Sequence, residues 1–158
     1  MNIIFDKIVR HIYKNYPEMY LSVDREARIP TLFMDREWLI RILLILREDF
    51  DFESLMCETA SDHGDEIVLV YHLYSTKHRQ MLMVKTAVPR EDRTVETAED
   101  IWKSANWYER EIYDLFGVEF IGHSDLVRIM LPQDWIGHPL LKDYESAPDY
   151  HGIKIEYL

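Results

Sequence analysis

Cysteine is almost absent from this chain, and that scarcity bounds its redox chemistry. Cys57 stands alone among 158 residues, so the chain makes no intramolecular disulfide and its thiols cannot ligate an iron–sulfur cluster; a reducing compartment is expected. Basic residues are also scarce. The 18 Lys and Arg stand against 29 Asp and Glu, a net charge of −11, which excludes nucleic acid as a partner and disfavours an anionic bilayer, because phosphate recognition needs a basic footprint. Long apolar runs are missing too: the most apolar stretch, Leu39 to Leu46, contains Arg41 and falls far short of the roughly 20 residues that span a membrane. The N-terminus has no cationic segment followed by an apolar run and a small-residue cleavage site, so no secretory signal is expected. The expectation is a soluble protein that meets a membrane only through partners.

Catalytic and nucleotide motifs are absent as well. No GxGxxG follows a strand and no GxxxxGK[ST] occurs, so the chain is not expected to bind NADH or ATP. Ser104, Ser124 and Ser146 have no nucleophile-elbow context. His11, His63, His72, His78 and His151 are scattered along the chain and read as surface or turn residues. Met81 and Met83 alternate on a strand and read as core packing.

What remains is a well-patterned α+β chain, with one core by its length. Ile4, Ile8 and Ile12, widened by Phe5, Val9 and Tyr16, form the stripe of a first helix over residues 3–16. Met19, Leu21 and Val23, then Ile29, Leu32 and Phe33, predict two extended pieces. Asp35 is placed to cap a helix running to about Glu48, with Trp38, Ile42, Ile45 and Leu46 as its apolar face. Leu55–Ala60, Ile67–Tyr74 and Gln80–Val88 are rich in branched and aromatic residues and predict an antiparallel meander. Thr97 with Asp100 marks a short capped helix through Trp102. The expected fold is two layers, a mixed and largely antiparallel sheet covered by helices, over residues 1–120, followed by an extended C-terminal arm over 121–158.

The chain is organised around Ser104 to Tyr144. Asn106 as N-cap, Glu109 three residues on as in a capping box, and Gly117 as the left-handed stop predict a helix of about three turns. Tyr108, Ile112, Leu115 and Phe116 make its buried face. After Gly117, Val118–Ile121 is strand-like, and Gly122, Pro132, Gly137 and Pro139 then interrupt every regular run. Ordering such an arm costs about 1–2 kcal/mol per residue, so its apolar residues, Leu126, Ile129, Met130, Leu131, Trp135, Ile136, Leu140 and Leu141, must bury against this domain or a partner.

ANWYEREIYDLFGVEFIGH followed by DLVRIMLPQDWIGHPLLKDY resembles the signature of the 30 kDa subunit family of respiratory complex I, known as the C subunit in bacterial NADH-quinone oxidoreductases. The resemblance rests on Glu109-Arg110-Glu111, Asp114, Phe116-Gly117, Gly122-His123, Asp125-Leu126, Arg128, Pro132, Gly137-His138-Pro139 and Lys142-Asp143-Tyr144. Three positions depart: the family usually has proline where Ser124 stands, a second basic residue at Val127 and arginine at Leu141. The resemblance implies a subunit that binds no cofactor itself, in an assembly using NADH, FMN, iron–sulfur clusters and quinone. Its implied partners are the quinone-site large subunit (49 kDa-like) and iron–sulfur subunits, at the cytoplasmic face of the inner membrane as a peripheral protein. Related membrane-bound hydrogenases and plastoquinone-reducing or deazaflavin-oxidising complexes use a similar chain.

On that reading Glu109, Arg110, Glu111, Asp114, His123, Asp125, Arg128, Pro132, Asp134, Trp135, Ile136, His138, Pro139, Leu140, Lys142, Asp143 and Tyr144 are interface residues, the arm draping over the partner. Arg110 with Asp114 at i+4 is alternatively a helix-surface ion pair. The rival from another class is a metal-dependent hydrolase built from Glu109, Glu111, Asp114, His123 and His138. Glu109 and Glu111, two apart on a helix, point to opposite sides and cannot share a metal.

Overall fold

The computed structural model describes residues 3–154; positions 1–2 and 155–158, the extreme ends of the expected domain and arm, lie outside the described residues. The chain order is α1 (Ile3–Asn15), β1 (Leu21–Asp24), β2 (Thr31–Asp35), α2 (Arg36–Glu48), β3 (Ser54–Asp62), β4 (Glu66–Ser75), β5 (Gln80–Pro89), β6 (Thr94–Glu96), α3 (Ala105–Phe116) and β7 (Glu119–Ile121), with a small hairpin of β8 (Asp149–Tyr150) and β9 (Ile153–Lys154) near the end. Five strands form one sheet in the order β1-β2-β5-β4-β3. It is mixed because β2 runs parallel to β5, while the other neighbours are antiparallel. Helix α2 intervenes between β2 and β3, and the β3–β5 meander then brings β5 back beside β2.

Period-two patterning decides which face of the sheet is covered. Ile67, Leu69, Tyr71 and Leu73 of β4 are buried, as are Leu82, Val84 and Val88 of β5 and Leu32 and Met34 of β2, and the pairings Leu32↔Val84 and Tyr71↔Val84 put them on one side. Onto that side α1 brings Phe5, Ile8, Val9 and Ile12, α2 brings Leu39, Ile42, Leu43 and Leu46, and α3 brings Ala105, Ile112 and Phe116, all in one cluster. Val70, His72, Tyr74, Met81, Met83 and Lys85 lie on the opposite face, half-buried or exposed. Met81 and Met83 are therefore not core, because their register parity belongs to the uncovered face.

Other expectations shift for local reasons. The buried stripe of α2 is Leu39, Ile42, Leu43 and Leu46, with Trp38 and Ile45 at its margins, and Asp35 sits at the N-cap without a side-chain cap bond. Residues 97–102 are turns rather than a helix: the hydroxyl of Thr97 accepts the N–H of Glu99 at 3.1 Å, and the N–H groups of Ile101 and Trp102 both reach the carbonyl of Ala98. A short parallel pair, β6 with β7, brackets α3. Among the described residues no helix is long and apolar enough to cross a membrane.

Candidate interaction site

Helix α3 starts two residues earlier than a cap at Asn106 requires. Ser104 is the N-cap, with no side-chain cap bond, and Asn106 instead reaches the Ser124 hydroxyl at 3.4 Å. Glu109 then lies five residues past the cap, too far along to close a capping box. Its side chain turns inward: one oxygen takes the N–H of Ala98 at 2.6 Å and the other takes the hydroxyl of Thr97. Burial raises the Glu109 carboxyl above its ordinary value, against the opposing bonds from Thr97 and Ala98. Glu109 thus fastens the 97–102 turn onto α3.

His123 lies beside this carboxylate with its side chain fully buried, Nε2 3.8 Å from Glu109 Oε2. Its Nδ1 accepts the N–H of Asp125 at 3.0 Å, which leaves Nε2 to donate to the Asn106 carbonyl, also at 3.0 Å. The start of the arm is thereby pinned to the first turn of α3. Ser124 adds its own N–H and hydroxyl to Glu99 at 3.0 and 2.8 Å. A proline there has no N–H to give, so this departure from the family pattern creates a contact.

The other end of α3 is more heavily engaged. A helix leaves its last four carbonyls without intrahelical partners, and here each is met. Gly117, at φ 70°, returns its N–H to Tyr113. The Asp114 carbonyl takes Arg128 Nη1 at 3.1 Å and the Nδ1–H of His138 at 2.9 Å; the Leu115 carbonyl takes the N–H of Leu140 at 3.0 Å; and Arg93 Nη1 covers Phe116 at 3.0 Å. Cations at a helix C-terminus are also favoured by the macrodipole.

Asp114 is the keystone. Its Oδ2 accepts three successive backbone N–H groups, from Ile129, Met130 and Leu131, at 3.0, 2.8 and 2.9 Å, and its Oδ1 takes Arg128 Nη1 at 2.6 Å. The Arg128 Nη2 reaches on to the Gly137 carbonyl at 2.9 Å. Burial alone raises this carboxyl, but the N–H of Leu131, the Arg128 guanidinium and the N–H groups of Met130 and Ile129 outweigh it and hold Asp114 below the usual carboxylate range. His138 is pushed downward as well, by burial and then by Arg128 and Arg93, against its bond to Asp114.

A second carboxylate, which nothing in the local sequence singles out, fixes the far end of the arm. Asp62, at the end of β3, accepts the backbone N–H of Lys142 at 2.7 Å, the N–H of Gly64 at 2.8 Å and Arg90 Nη1 at 2.8 Å, and Arg90 also pairs with Asp143. The Lys142 bond, followed by Arg90 and Gly64, drives the Asp62 carboxyl far below its ordinary value despite burial. Asp-His-Gly marks a turn, and the Gly64 bond is that turn; no local signal announces a partner 80 residues away.

The arm therefore lies along its own domain. Leu126 and Leu141 pack against the core, Trp135 Nε1–H donates to the Tyr144 hydroxyl at 3.1 Å, and Asp134 accepts from Tyr150 and pairs with His151. Glu109 and Asp114 have no exposed surface and Arg128 and His138 are half-buried, and these four act as internal clamps on the arm. The Arg110–Asp114 pair is not formed. Arg110 lies over the Trp107 ring at 5.0 Å, donates to the Val127 carbonyl at 3.1 Å and stands 3.9 Å from Asp125. Glu111, Asp125, Pro132, Asp134, Ile136, Leu140, Lys142 and Asp143 are exposed, and Trp135, Pro139 and Tyr144 half-buried. The hydrolase arrangement is not assembled, since Glu109 is buried and bonded while Glu111 faces solvent; among the described residues no group of three or more His, Cys, Asp or Glu is placed to hold a metal.

The model of the family "Respiratory-chain NADH dehydrogenase, 30 Kd subunit" matches residues 32–150. The chain belongs to this family. The match runs from β2 to β8 and so takes in four of the five strands of the main sheet, α3 and both carboxylate clamps. Similar proteins include the NADH-quinone oxidoreductase C subunit of Geobacter sulfurreducens, 41% identical over 78% of this chain and 80% of that one, and the C subunit of Chloroherpeton thalassium, 40% identical over 73% of this chain and 50% of that one. The C/D subunit of Psychrobacter arcticus is 34% identical over 88% of this chain, which spans only 25% of that protein. Among solved structures, the trypsin-resistant fragment (1-134) of Nqo5 superposes with a TM-score of 0.67 at 25% identity, over 78% of this chain and 99% of that one. A chain of the membrane-bound sulfane sulfur reductase, an archaeal respiratory membrane complex, gives 0.69 at 28% identity over 89% of this chain and 85% of that one. The 30 kDa family fold is thus the two-layer α+β domain described above.

Proposed function

We propose that this chain is a cofactor-free structural subunit of the peripheral arm of a proton-translocating NADH:quinone oxidoreductase, seated against the quinone-site large subunit and the iron–sulfur subunits, and peripheral to the cytoplasmic face of the inner membrane. One observation carries this reading. Arg128 and His138 of the arm turn inward to hold it on the domain, while Met130, Ile136 and Leu140 turn outward, 63%, 81% and 51% exposed. Exposed apolar residues interspersed along the arm with exposed Asp125, Lys142 and Asp143 have the make-up of a protein interface. Relatives named as C/D subunits support the choice of partner, because there the region like this chain is joined to a further part in one polypeptide. On this reading the chain divides into a domain of about residues 1–120 and a docking arm of 121–158.

The assembly would carry NADH, FMN, iron–sulfur clusters and quinone in other subunits, since the lone Cys57 cannot supply a cluster's set of thiolates. The likeness to an archaeal sulfane sulfur reductase chain favours a second reading, the same structural role in a related respiratory membrane complex other than an NADH:quinone oxidoreductase. The test is a pull-down of the N-terminally tagged chain from gently solubilised membranes of its source. Iron–sulfur and quinone-site subunits are expected, and electron-input subunits among them identify the donor. Recovery of the chain alone, with wild-type and arm-truncated forms behaving alike, overturns the reading.

A further inference from the structure

The arm ends in a cleft that the clamps do not explain. It measures about 220 Å³ and is lined by Asp134, Trp135, Ile136, Tyr144, Asp149 and Tyr150, among others. Its rings are fixed by bonds at their rims. Trp135 and Tyr150 stand 5.3 Å apart at 40°; the Trp135 N–H is held by the Tyr144 hydroxyl; the Tyr144 ring lies so close to Gly137 that a Cβ there would meet it at 2.8 Å; and the Tyr150 hydroxyl donates to Asp134 at 2.8 Å. These bonds order the rings before any ligand arrives.

We propose that this cleft receives a single cationic side chain, arginine or lysine, from a neighbouring subunit of the assembly. The proposal rests on the subunit reading given above. Aromatic faces attract cations through their quadrupole, and a guanidinium also stacks on them. Asp134 and Asp149 supply negative charge at the cleft, and no lysine or arginine lines it. Asp149 spends one oxygen on a 3.3 Å contact with the N–H of Gly152, and Asp134 accepts from Tyr150 and pairs with His151, so both carboxylates remain beside the rings. His151 also lines the cleft, paired with Asp134 at 2.8 Å, so Asp149 is the carboxylate left to meet a cation, and a phosphate or an acidic side chain finds no lysine or arginine here. The volume is below the roughly 300–1,000 Å³ of ordinary small-molecule sites, which suits one side chain better than a cofactor. Ile136, 81% exposed at the rim, continues the cleft into the exposed apolar residues of the arm.

The test uses the full-length chain in its assembly. A photo-cross-linking residue is placed at Ile136, and the release of the chain from immobilised assembly is timed for wild type and for Asp149→Asn, Trp135→Ala and Trp135→Phe. The expected result is a cross-link to a partner peptide bearing arginine or lysine, with release about tenfold faster for Asp149→Asn and Trp135→Ala and a smaller acceleration for Trp135→Phe, which keeps a ring and loses the N–H bond to Tyr144. Asp149→Asn removes charge at an exposed position, so its effect does not depend on refolding of the arm. A cross-link to an apolar or acidic peptide or to lipid, or equal release rates for all four proteins, overturns the cleft assignment while leaving the subunit reading intact. If the wild-type chain brings no other subunit, the subunit reading fails and takes this occupant with it.

Discussion

Replacing Asp114 by asparagine removes one charge and no volume, and the structure fixes what that does. The carboxylate serves four donors, three backbone N–H groups on Oδ2 and Arg128 on Oδ1. An asparagine has one acceptor oxygen. Whichever way its amide turns, an NH2 faces either Arg128 or the N–H groups of Ile129, Met130 and Leu131, so donor meets donor. Arg128, whose side chain is 11% exposed, is left without its counter-charge, and breaking such a buried pair from one side costs about 3–5 kcal/mol. At 1.4 kcal/mol per decade that raises the undocked population of the arm roughly a hundred- to a few-thousand-fold. The arm is an edge element, and we expect it to open locally while the sheet stays folded. The assay is limited trypsin digestion read by intact mass: Asp114→Asn is cut rapidly after Arg128 and Lys142 while a product of residues 1–128 persists, and the cleavage rate follows the open population when reclosing is fast. Asp125→Asn, at an exposed carboxylate, serves as the control and stays near wild type. Cleavage of Asp114→Asn at the wild-type rate, with an unchanged melting temperature, refutes the assignment of Asp114 as the clamp.

Glu58 carries a pH prediction. It is fully buried with neither oxygen in a well-formed hydrogen bond, and burial first, then the charge of Glu109, hold its carboxyl well above the ordinary value against the neighbouring Tyr71 hydroxyl. The folded chain therefore keeps a proton that the unfolded chain releases, so the contribution of Glu58 is fully present below about pH 4.3 and is lost as pH rises through the folded value. Glu58→Gln, which cannot ionise, is expected to match wild type near the acid end and to melt higher at about pH 8; parallel melting curves across that range contradict this. At Gly117 a Cβ would stand 2.6 Å from His138 and 2.9 Å from Arg93, at φ 70°. Gly117→Ala should lose the roughly 1–2 kcal/mol of left-handed strain and also displace His138, whereas Gly64→Ala, with nothing within 4 Å, carries the strain alone. A thermal-unfolding series in which the two variants lose equal stability rules out the His138 contact.

The elements and the site differ in how far they can be read from sequence. Hydrophobic period is local and survives in one dimension, so the alternation of Ile67, Leu69, Tyr71 and Leu73 and the stripe of Ile8 and Ile12 locate β4 and α1 directly. The position of Asp35 before α2 and of Gly117 after α3 is legible for the same reason. Glu109 misleads because a carboxylate three residues after Asn106 satisfies the capping-box pattern, while Ser104, two residues earlier, takes the cap and rotates Glu109 into the interior. Residues 97–102 carry cap signals, but the Thr97 hydroxyl donates to Glu109 and accepts from Glu99, which closes a turn instead of opening a helix. The bond between Asp62 and Lys142 spans 80 residues through a backbone N–H, and a backbone donor has no residue type to recognise. Long-range clamps of that kind leave no periodic trace.

The arm reverses the usual sorting of residues. An isolated segment of this composition would place Asp, Arg and His in water and hide Met, Ile and Leu, but two carboxylates on the domain, Asp114 and Asp62, accept its backbone N–H groups at residues 129–131 and 142 and hold it in one course. With the backbone fixed from beneath, Met130, Ile136 and Leu140 have nowhere to fold back to. A disordered arm would lose about 2–5 kcal/mol of its gross interaction energy to ordering on binding. Here the clamps meet that ordering cost inside the chain. On the proposed subunit reading a partner would meet a preordered arm, and weakening either clamp should slow association as well as speed release, because the binding-competent course of the arm becomes less populated.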